Sequence, residues 1–105
     1  MNQYIDKRLD KAYELLLEGN LREAVVEFEA NLKENPDSIH LLMELGNIYY
    51  ILGEMGKSIG CYRKVLEFKP ESAYVLYRLG VVLYRSTLFT EATVVFTQII
   101  NLGKH

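Results

Sequence analysis

The residues of this 105-residue chain best suited to acid–base or nucleophilic chemistry are two histidines, His40 and His105, and one cysteine, Cys61. Catalysis needs such groups to be brought together in one pocket. The three are far apart in sequence, and His105 is the terminal residue. The chain also lacks a glycine-rich phosphate loop, a paired-histidine spacing and a CxxC motif. The sequence therefore predicts no catalytic residue, no metal site and no cofactor, and the chain is not expected to be an enzyme.

The single cysteine excludes an internal disulfide and weakly indicates a reducing compartment. Cys61 is interpreted as a small buried hydrophobic residue, with a reactive thiol as the alternative. The first residues, MNQYIDKRLDK, are charged and lack the apolar stretch of a secretory signal. These features predict a cytoplasmic location.

The composition is that of a globular domain, with 50% hydrophobic and 25% charged residues. No apolar run approaches the length of about 18 residues that a membrane span needs, so no membrane partner is expected. The net charge is −2. No basic stripe is present, so no nucleic acid partner is expected. Charge runs from −4 over residues 1–37 to +2 over residues 72–105. This gradient is interpreted either as drift of surface charge or as a means of orienting a peptide or a second copy.

One stretch of the sequence recurs with small changes: PDSIHLLMELGNIYY at residues 36–50 is followed by PESAYVLYRLGVVLY at residues 70–84. The offset that brings Pro36 onto Pro70 also aligns the segments on either side. The aligned sets include Ala24, Ser58 and Ala92; Phe28, Tyr62 and Phe96; and Leu32, Leu66 and Ile100. The offset divides the chain into three units, residues 5–38, 39–72 and 73–105.

A 34-residue period with this pattern resembles the tetratricopeptide repeat, a helix–turn–helix unit that stacks on its neighbours. The resemblance covers nearly the whole chain and is weakest at the start of the first unit. It implies an all-α fold: a right-handed superhelical stack of antiparallel helix pairs, about six helices in three repeats, forming one domain over residues 1–105. The second unit fits the family best, with Leu42, Leu45, Gly46, Tyr49, Gly53, Ser58, Tyr62 and Pro70 at favoured positions.

Helical periodicity predicts the same elements without the family. Apolar residues follow one stripe on the first helix of each unit, and an apolar stripe on the second helix supplies the partner. Gly46 and Gly80 fall inside first helices, where glycine costs about 1 kcal/mol relative to Ala, so a close helix approach is expected there. The segment TEATVVFTQII is rich in β-branched residues, but its register with KSIGCYRKVLE predicts a helix.

Turn and cap residues are predicted from their types. Gly19, Gly53 and Gly56 are expected to supply positive φ where first helices end. Pro36 and Pro70 are expected to stop second helices. Three residues are expected to cap helix N-termini: Ser38, Ser72 and Thr90.

A second stripe, rotated away from the core, runs along the first helices and is rich in tyrosine. The resemblance implies that these positions line a concave groove that takes a peptide of a partner protein. The predicted groove residues are Tyr13, His40, Met43, Asn47, Tyr50, Tyr74, Tyr77, Val81, Tyr84 and Arg85. Tyrosine suits such a surface because it combines apolar area with a hydroxyl and few rotatable bonds. The alternative is that part of the stripe, particularly Tyr50 and Tyr84, packs within the chain or against another copy.

Some members of the family bind chaperone tails through a clamp of Lys, Asn and Arg. Among the clamp positions only Arg78 fits here, so an apolar segment with aliphatic anchors is the expected ligand. A competing hypothesis is a structural role. In it, copies associate as homo-oligomers, or further repeats pack, through the same tyrosine-rich stripe and the C-terminal helix, whose apolar residues lack a polar capping element. Those residues are Val94, Val95, Ile99, Ile100 and Leu102.

Overall fold

The computed structural model describes the backbone of residues 3–104 and the side chains of residues 9–104. All regular structure in that range is helical, which confirms the predicted fold class. The six helices are α1 (Gln3–Leu17), α2 (Leu21–Glu34), α3 (Ile39–Ile51), α4 (Met55–Phe68), α5 (Ala73–Arg85) and α6 (Phe89–Leu102). TEATVVFTQII forms most of α6, as its register predicted.

The helices repeat with the predicted period. The second helices α2, α4 and α6 begin at Leu21, Met55 and Phe89, each one period after the one before, and α5 begins one period after α3. The main packing joins helices that are consecutive in the chain, first within each pair and then from α2 to α3 and from α4 to α5. The result is an elongated stack with extents of 44 × 28 × 19 Å.

The apolar stripes form two core clusters. The first joins α1 and α2 to α3, and at its centre is the fully buried Phe28. The second joins α3 and α4 to α5 and α6, and at its centre is the fully buried Tyr62. Burial of this apolar area is the main favourable contribution to folding.

Close helix approach at the two predicted glycines is confirmed. A Cβ at Gly46 would lie 2.7 Å from Cε1 of Tyr62, and one at Gly80 would overlap the ring of Phe96. At the first of these sites Ser58 Oγ also donates a hydrogen bond to the carbonyl oxygen of Gly46, at 2.7 Å. In the second and third pairs, the aromatic ring of the second helix therefore packs where the first helix has no side chain.

Ser38 and Ser72 cap α3 and α5 as predicted, since their hydroxyl oxygens accept hydrogen bonds from Leu41 N and Val75 N. The proline predictions also agree with the structure, because α2 and α4 end shortly before Pro36 and Pro70.

Two turn predictions were wrong. Gly56 lies inside α4, because Gly53 alone, at φ 81°, supplies the left-handed residue of that turn. Thr90 lies inside α6, because that helix already begins at Phe89. In the α5–α6 turn the left-handed residue is Thr87, at φ 63°.

Candidate functional site

The ten predicted groove residues lie on α1, α3 and α5, the first helices of the three pairs. In the first two pairs they are joined to neighbouring helices by hydrogen bonds and ring contacts. On α5 they are mostly exposed. We call the surface formed by these ten residues the first-helix face. One part of it is in contact with neighbouring helices, and the part on α5 is exposed to solvent.

Tyr13 and His40 meet where α1 and α3 adjoin. The Tyr13 hydroxyl is hydrogen-bonded to Nε2 of His40, and the Tyr13 ring contacts Phe28 edge-on at 5.2 Å between ring centroids. Burial and the Glu44 carboxylate raise the pKa of Tyr13 to about 12, so the hydroxyl keeps its proton at neutral pH. His40 is exposed at this end of the face.

Met43, Asn47 and Tyr50 on α3 are half-buried, and α5 covers part of them. Asn47 Oδ1 accepts hydrogen bonds from the Tyr62 hydroxyl and, at 2.9 Å, from Nη2 of Arg78. The Arg78 guanidinium also lies over the Tyr50 ring, 5.9 Å from its centroid. These side chains therefore help to hold α5 in place, which agrees with the packing interpretation for Tyr50.

The α5 residues are different, because three tyrosines of this one helix point into solvent. The exposed fractions are 59% for Tyr74, 54% for Tyr77 and 53% for Tyr84. The Tyr84 ring meets the edge of Phe89, with 5.3 Å between centroids, but stays mostly in solvent, so the packing interpretation describes it less well than Tyr50. Beside these tyrosines is an open pocket of about 520 Å³, lined by Tyr77, Val81, Tyr84, Arg85 and Phe96.

Two residues that border the first-helix face were not among the predicted site residues. Arg78 crosses from α5 to α3, and Phe96 of α6 forms a wall of the pocket. The sequence contained a signal for Phe96, because the repeat register aligns it with Tyr62 and places Gly80 opposite it. Arg78 carried a weaker signal, as the one residue that fitted the clamp pattern.

A larger open depression, of about 660 Å³, lies between the second helices α2 and α4. It contains none of the groove residues. It is lined by charged surface residues such as Glu29, Lys33 and Lys64 together with apolar side chains. It is a depression in the surface between the two second helices, with Leu42 of α3 on its lining.

Of the three residues with possible chemistry, the structure describes His40 on α3 and Cys61 on α4. Cys61 is half-buried on α4, and burial together with the Glu29 carboxylate raises the pKa of its thiol to about 11. Among the described residues no three His, Cys, Asp or Glu side chains are placed to hold a metal ion. His105 lies outside the described residues. Within the described part of the chain, no helix is both long enough and apolar enough to cross a lipid bilayer.

Comparison with solved structures finds the same arrangement of helices in other proteins. MamA AMB-1 superposes with a TM-score of 0.84 over 95% of this chain and 55% of that chain, at 25% identity. MamA MSR-1 gives 0.81 over 95% and 57%, at 24% identity. A chain of the CopN–Scc3 complex gives 0.85 over 94% and 58%, at 13% identity. The chain thus spans just over half the length of these structures.

Sequence comparison matches part of the chain to a family model. Comparison with curated proteins gives no significant match. Residues 46–86, which run from the middle of α3 to the end of α5, match the family model described as TPR repeat. This match and the arrangement of the six helices support the tetratricopeptide repeat family, which the sequence pattern also resembles.

Proposed function

We propose that this chain is a protein-interaction scaffold that holds a peptide segment of a partner protein along the first-helix face. Stacked helix pairs form extended surfaces of the kind used for such contacts. The observation that carries the proposal is the group of three exposed tyrosines on α5, Tyr74, Tyr77 and Tyr84. Large rings that take little part in the core and are grouped on one helix are a marker of a binding surface.

The chemistry of the face favours an apolar ligand with some polar character. Tyrosine rings and Val81 supply apolar contact, while the tyrosine hydroxyls and Arg85 supply hydrogen-bond donors. Arg78 already shares its guanidinium with Asn47, Tyr62 and the Tyr50 ring, so it is poorly placed to act as a free clamp cation. We therefore propose a peptide with aliphatic anchors, bound at the α5 end of the face.

Selection from a display library of random peptides tests this proposal. Peptides that bind the chain are remeasured on the double variant Tyr77→Ala and Tyr84→Ala and on the single variant Tyr74→Ala. We expect the double variant to lose about 2 kcal/mol of binding free energy or more, the size typical of a central aromatic contact. Circular dichroism should show little change in helix content, because the three rings are largely exposed.

The matched control is Phe68→Ala, which removes an exposed ring at the end of α4, away from the first-helix face. Selected peptides should bind this variant as they bind the unchanged chain. Equal binding to the double tyrosine variant would contradict the proposal, as would a large loss of stability in that variant.

A second candidate function is a structural one, in which this unit associates with copies of itself or with further repeats. The exposed apolar residues of α6 favour it, since Phe89, Val94 and Ile100 are each more than half exposed. Sedimentation over a range of concentrations separates the two. A dimer that covers α5 and α6 would support the structural role, and a monomer at all concentrations would count against self-association.

A further inference from the structure

The open depression of about 660 Å³ between α2 and α4 has walls and a floor that belong to the middle of the stack. In an array where each unit contacts only its neighbours, a further helix at either end would lie beside other elements and leave this depression open. Its apolar lining comes from α2, the loop after it and α3, and consists of Val26, Ala30, Leu32, Pro36 and Leu42. Val26 is 63% exposed, so this wall carries apolar surface that the chain itself does not cover.

Three charged side chains also line the depression, Glu29 and Lys33 from α2 and Lys64 from α4. Glu29 and Lys33 are four residues apart, a spacing at which opposite charges commonly pair along one helix. Here the hydroxyl of the buried Tyr49 donates a hydrogen bond to Oε2 of Glu29 instead, which fixes that carboxylate and leaves Oε1 for another donor. Among the described residues neither lysine Nζ has an ion-pair partner.

The α2 side of the depression matches itself when it is turned end to end. Its lining residues come at positions 26, 29, 30, 32, 33 and 36, which are symmetric about position 31. When two copies of α2 lie antiparallel with position 31 at the axis, Glu29 of each copy meets Lys33 of the other. Val26 of each copy then meets Pro36 of the other. A two-fold contact of this kind joins opposite charges to each other and apolar side chains to each other.

The equivalent side of α4 does not offer this match. One period after Val26 and Ala30 stand Gly60 and Lys64, so a charge and a missing side chain replace the apolar surface. The counterpart of the α2 glutamate is Arg63, which already pairs with a carboxylate of α6 at 2.9 Å. The self-matching surface is therefore a property of α2 rather than of every second helix.

We propose that two copies of this chain associate through this depression, with their α2 helices antiparallel about a two-fold axis near position 31. Each α2 lies in the depression of the other copy, and two Glu29–Lys33 ion pairs flank the axis. The α2 helix carries four glutamates against one arginine and one lysine. Lys64 on the opposite wall therefore attracts the α2 helix of the second copy.

The mixed charge of the lining favours a second copy over an unrelated charged peptide. A purely acidic segment would pair with the two lysines but would be repelled by Glu29, and a purely basic segment would be repelled by the lysines. The lining instead fits a helix with an acidic and a basic residue four positions apart, between apolar residues. The exposed side of α2 is such a helix.

Charge reversal tests the proposed ion pairs. Sedimentation equilibrium should show a monomer–dimer equilibrium for the unchanged chain, and a monomer at all concentrations up to about 1 mM would overturn the proposal. Glu29→Lys places lysine against lysine in both pairs, and Lys33→Glu places glutamate against glutamate. We expect each variant to raise the Kd of the dimer at least about 10-fold, because like charges then meet twice.

A mixture of the two charge variants is the sharpest measurement. One variant carries lysine at both positions and the other carries glutamate at both, so a dimer with one copy of each has two matched pairs. With a fluorophore on the N-terminus of one variant, sedimentation should show heterodimers with a Kd close to that of the unchanged chain. A mixture that associates no better than the separate variants would overturn the proposed pairing.

The double variant Glu29→Lys and Lys33→Glu separates charge pairing from local stability. It lacks the carboxylate that Tyr49 uses, as the single variant Glu29→Lys does, but its two-fold contact again joins opposite charges. We expect it to dimerise more tightly than either single variant, with circular dichroism confirming that all three are folded. A double variant as weak as the single ones would contradict the ion pairs.

Two valines at the same place in their repeats test the location of the contact. Val26 on α2 and Val94 on α6 are two periods apart, and both are more than half exposed. Val26→Asp should weaken the dimer at least about 10-fold, because it puts a charge on apolar lining. Val94→Asp should leave the dimer unchanged. A dimer weakened by Val94→Asp alone would assign association to α6 and overturn the proposal, and so would equal weakening by both variants.

This contact is independent of the peptide proposed for the first-helix face, because the depression contains none of the residues of that face. The double variant Tyr77→Ala and Tyr84→Ala should therefore dimerise as the unchanged chain does. Failure of the groove proposal would appear in the library peptides alone, and failure of the dimer proposal would appear in sedimentation alone. A dimer weakened by the tyrosine variant but not by Val26→Asp would place the contact on the first-helix face and overturn the α2 assignment.

Discussion

The packing interface between α4 and α5 and the exposed side of α6 are built from equivalent residues. They differ because a further helix, α5, covers α4. At this interface, Tyr62 is fully buried, hydrogen-bonded to Asn47 and covered by Arg78. On α6, Phe96 occupies the equivalent place and is half-buried beside an open pocket. One sequence pattern thus yields either core or surface, depending on whether a further helix covers it.

Truncating the two equivalent rings should give the largest contrast. We expect Tyr62→Ala to lower the free energy of unfolding by about 3–5 kcal/mol, because it opens a cavity in the core. Phe96→Ala should cost about half as much, because its ring is already partly in water. Urea denaturation followed by circular dichroism measures both. Equal losses would mean that α6 is covered in solution and would remove the contrast.

The two helix-interior glycines allow the same comparison by adding a side chain instead of removing one. Gly46→Leu should cost about 3 kcal/mol, since the buried Tyr62 ring cannot move away. Gly80→Leu should cost about 1 kcal/mol, because the Phe96 ring can turn towards the open pocket.

The control for overpacking is Gly60→Leu, at an exposed α4 position where a Cβ meets nothing within 4 Å. It should be neutral or stabilising by up to about 1 kcal/mol, because leucine favours the helix. A larger cost at Gly80 than at Gly46 would show that Phe96 is fixed in place.

The next largest loss of stability is expected from Asn47, the polar residue at the contact between α3 and α5. Asn47→Ala takes away the oxygen that both Tyr62 and Arg78 use, and we expect a loss of about 2 kcal/mol. Val81→Ala, at the equivalent place in the third pair, should cost less than about 1 kcal/mol, since it leaves no polar group unpaired. Thermal unfolding compares the two variants. A similar small cost for both would indicate that water replaces the Asn47 side chain.

The smallest expected effect concerns the turns. Thr87 holds a positive φ of 63° where Gly19 and Gly53 stand in the other pairs. Thr87→Gly should stabilise the chain by about 1 kcal/mol, because left-handed backbone is unfavourable for a β-branched residue. Gly53→Thr is the reverse control and should destabilise by a similar amount. A loss of stability in Thr87→Gly would show that the hydrogen bond from Thr87 Oγ1 to the Ser86 carbonyl outweighs the strain.

The sequence was a good guide wherever a feature repeats. The repeat offset located the helices, and the contacts at Gly46 and Gly80 followed from glycines that a helix would otherwise disfavour. It was a poorer guide to single turns. Thr90 looked like a cap, yet Leu88 precedes the first residue of α6.

For the candidate site, the stripe could be predicted but its exposure could not. Tyr50 and Tyr84 occupy the same place in their units, yet one is half-buried under Arg78 and the other is mostly in solvent. The difference depends on which helix comes next, and a single-helix pattern does not contain that information. For the same reason the sequence did not indicate that Asn47, a predicted groove residue, is a hydrogen-bond partner of Arg78 and Tyr62.

The pairing of each helix mainly with its neighbours in the chain has a consequence for dynamics. In such a linear array, opening can begin at a terminus and advance one element at a time, without breaking every contact at once. Amide hydrogen exchange should therefore be slowest in α3 and α4, which lie farthest from the two ends of the array, and faster in α6, which packs mainly against α5. A ligand that covers α6 would slow its exchange and move the point of fraying away from that end.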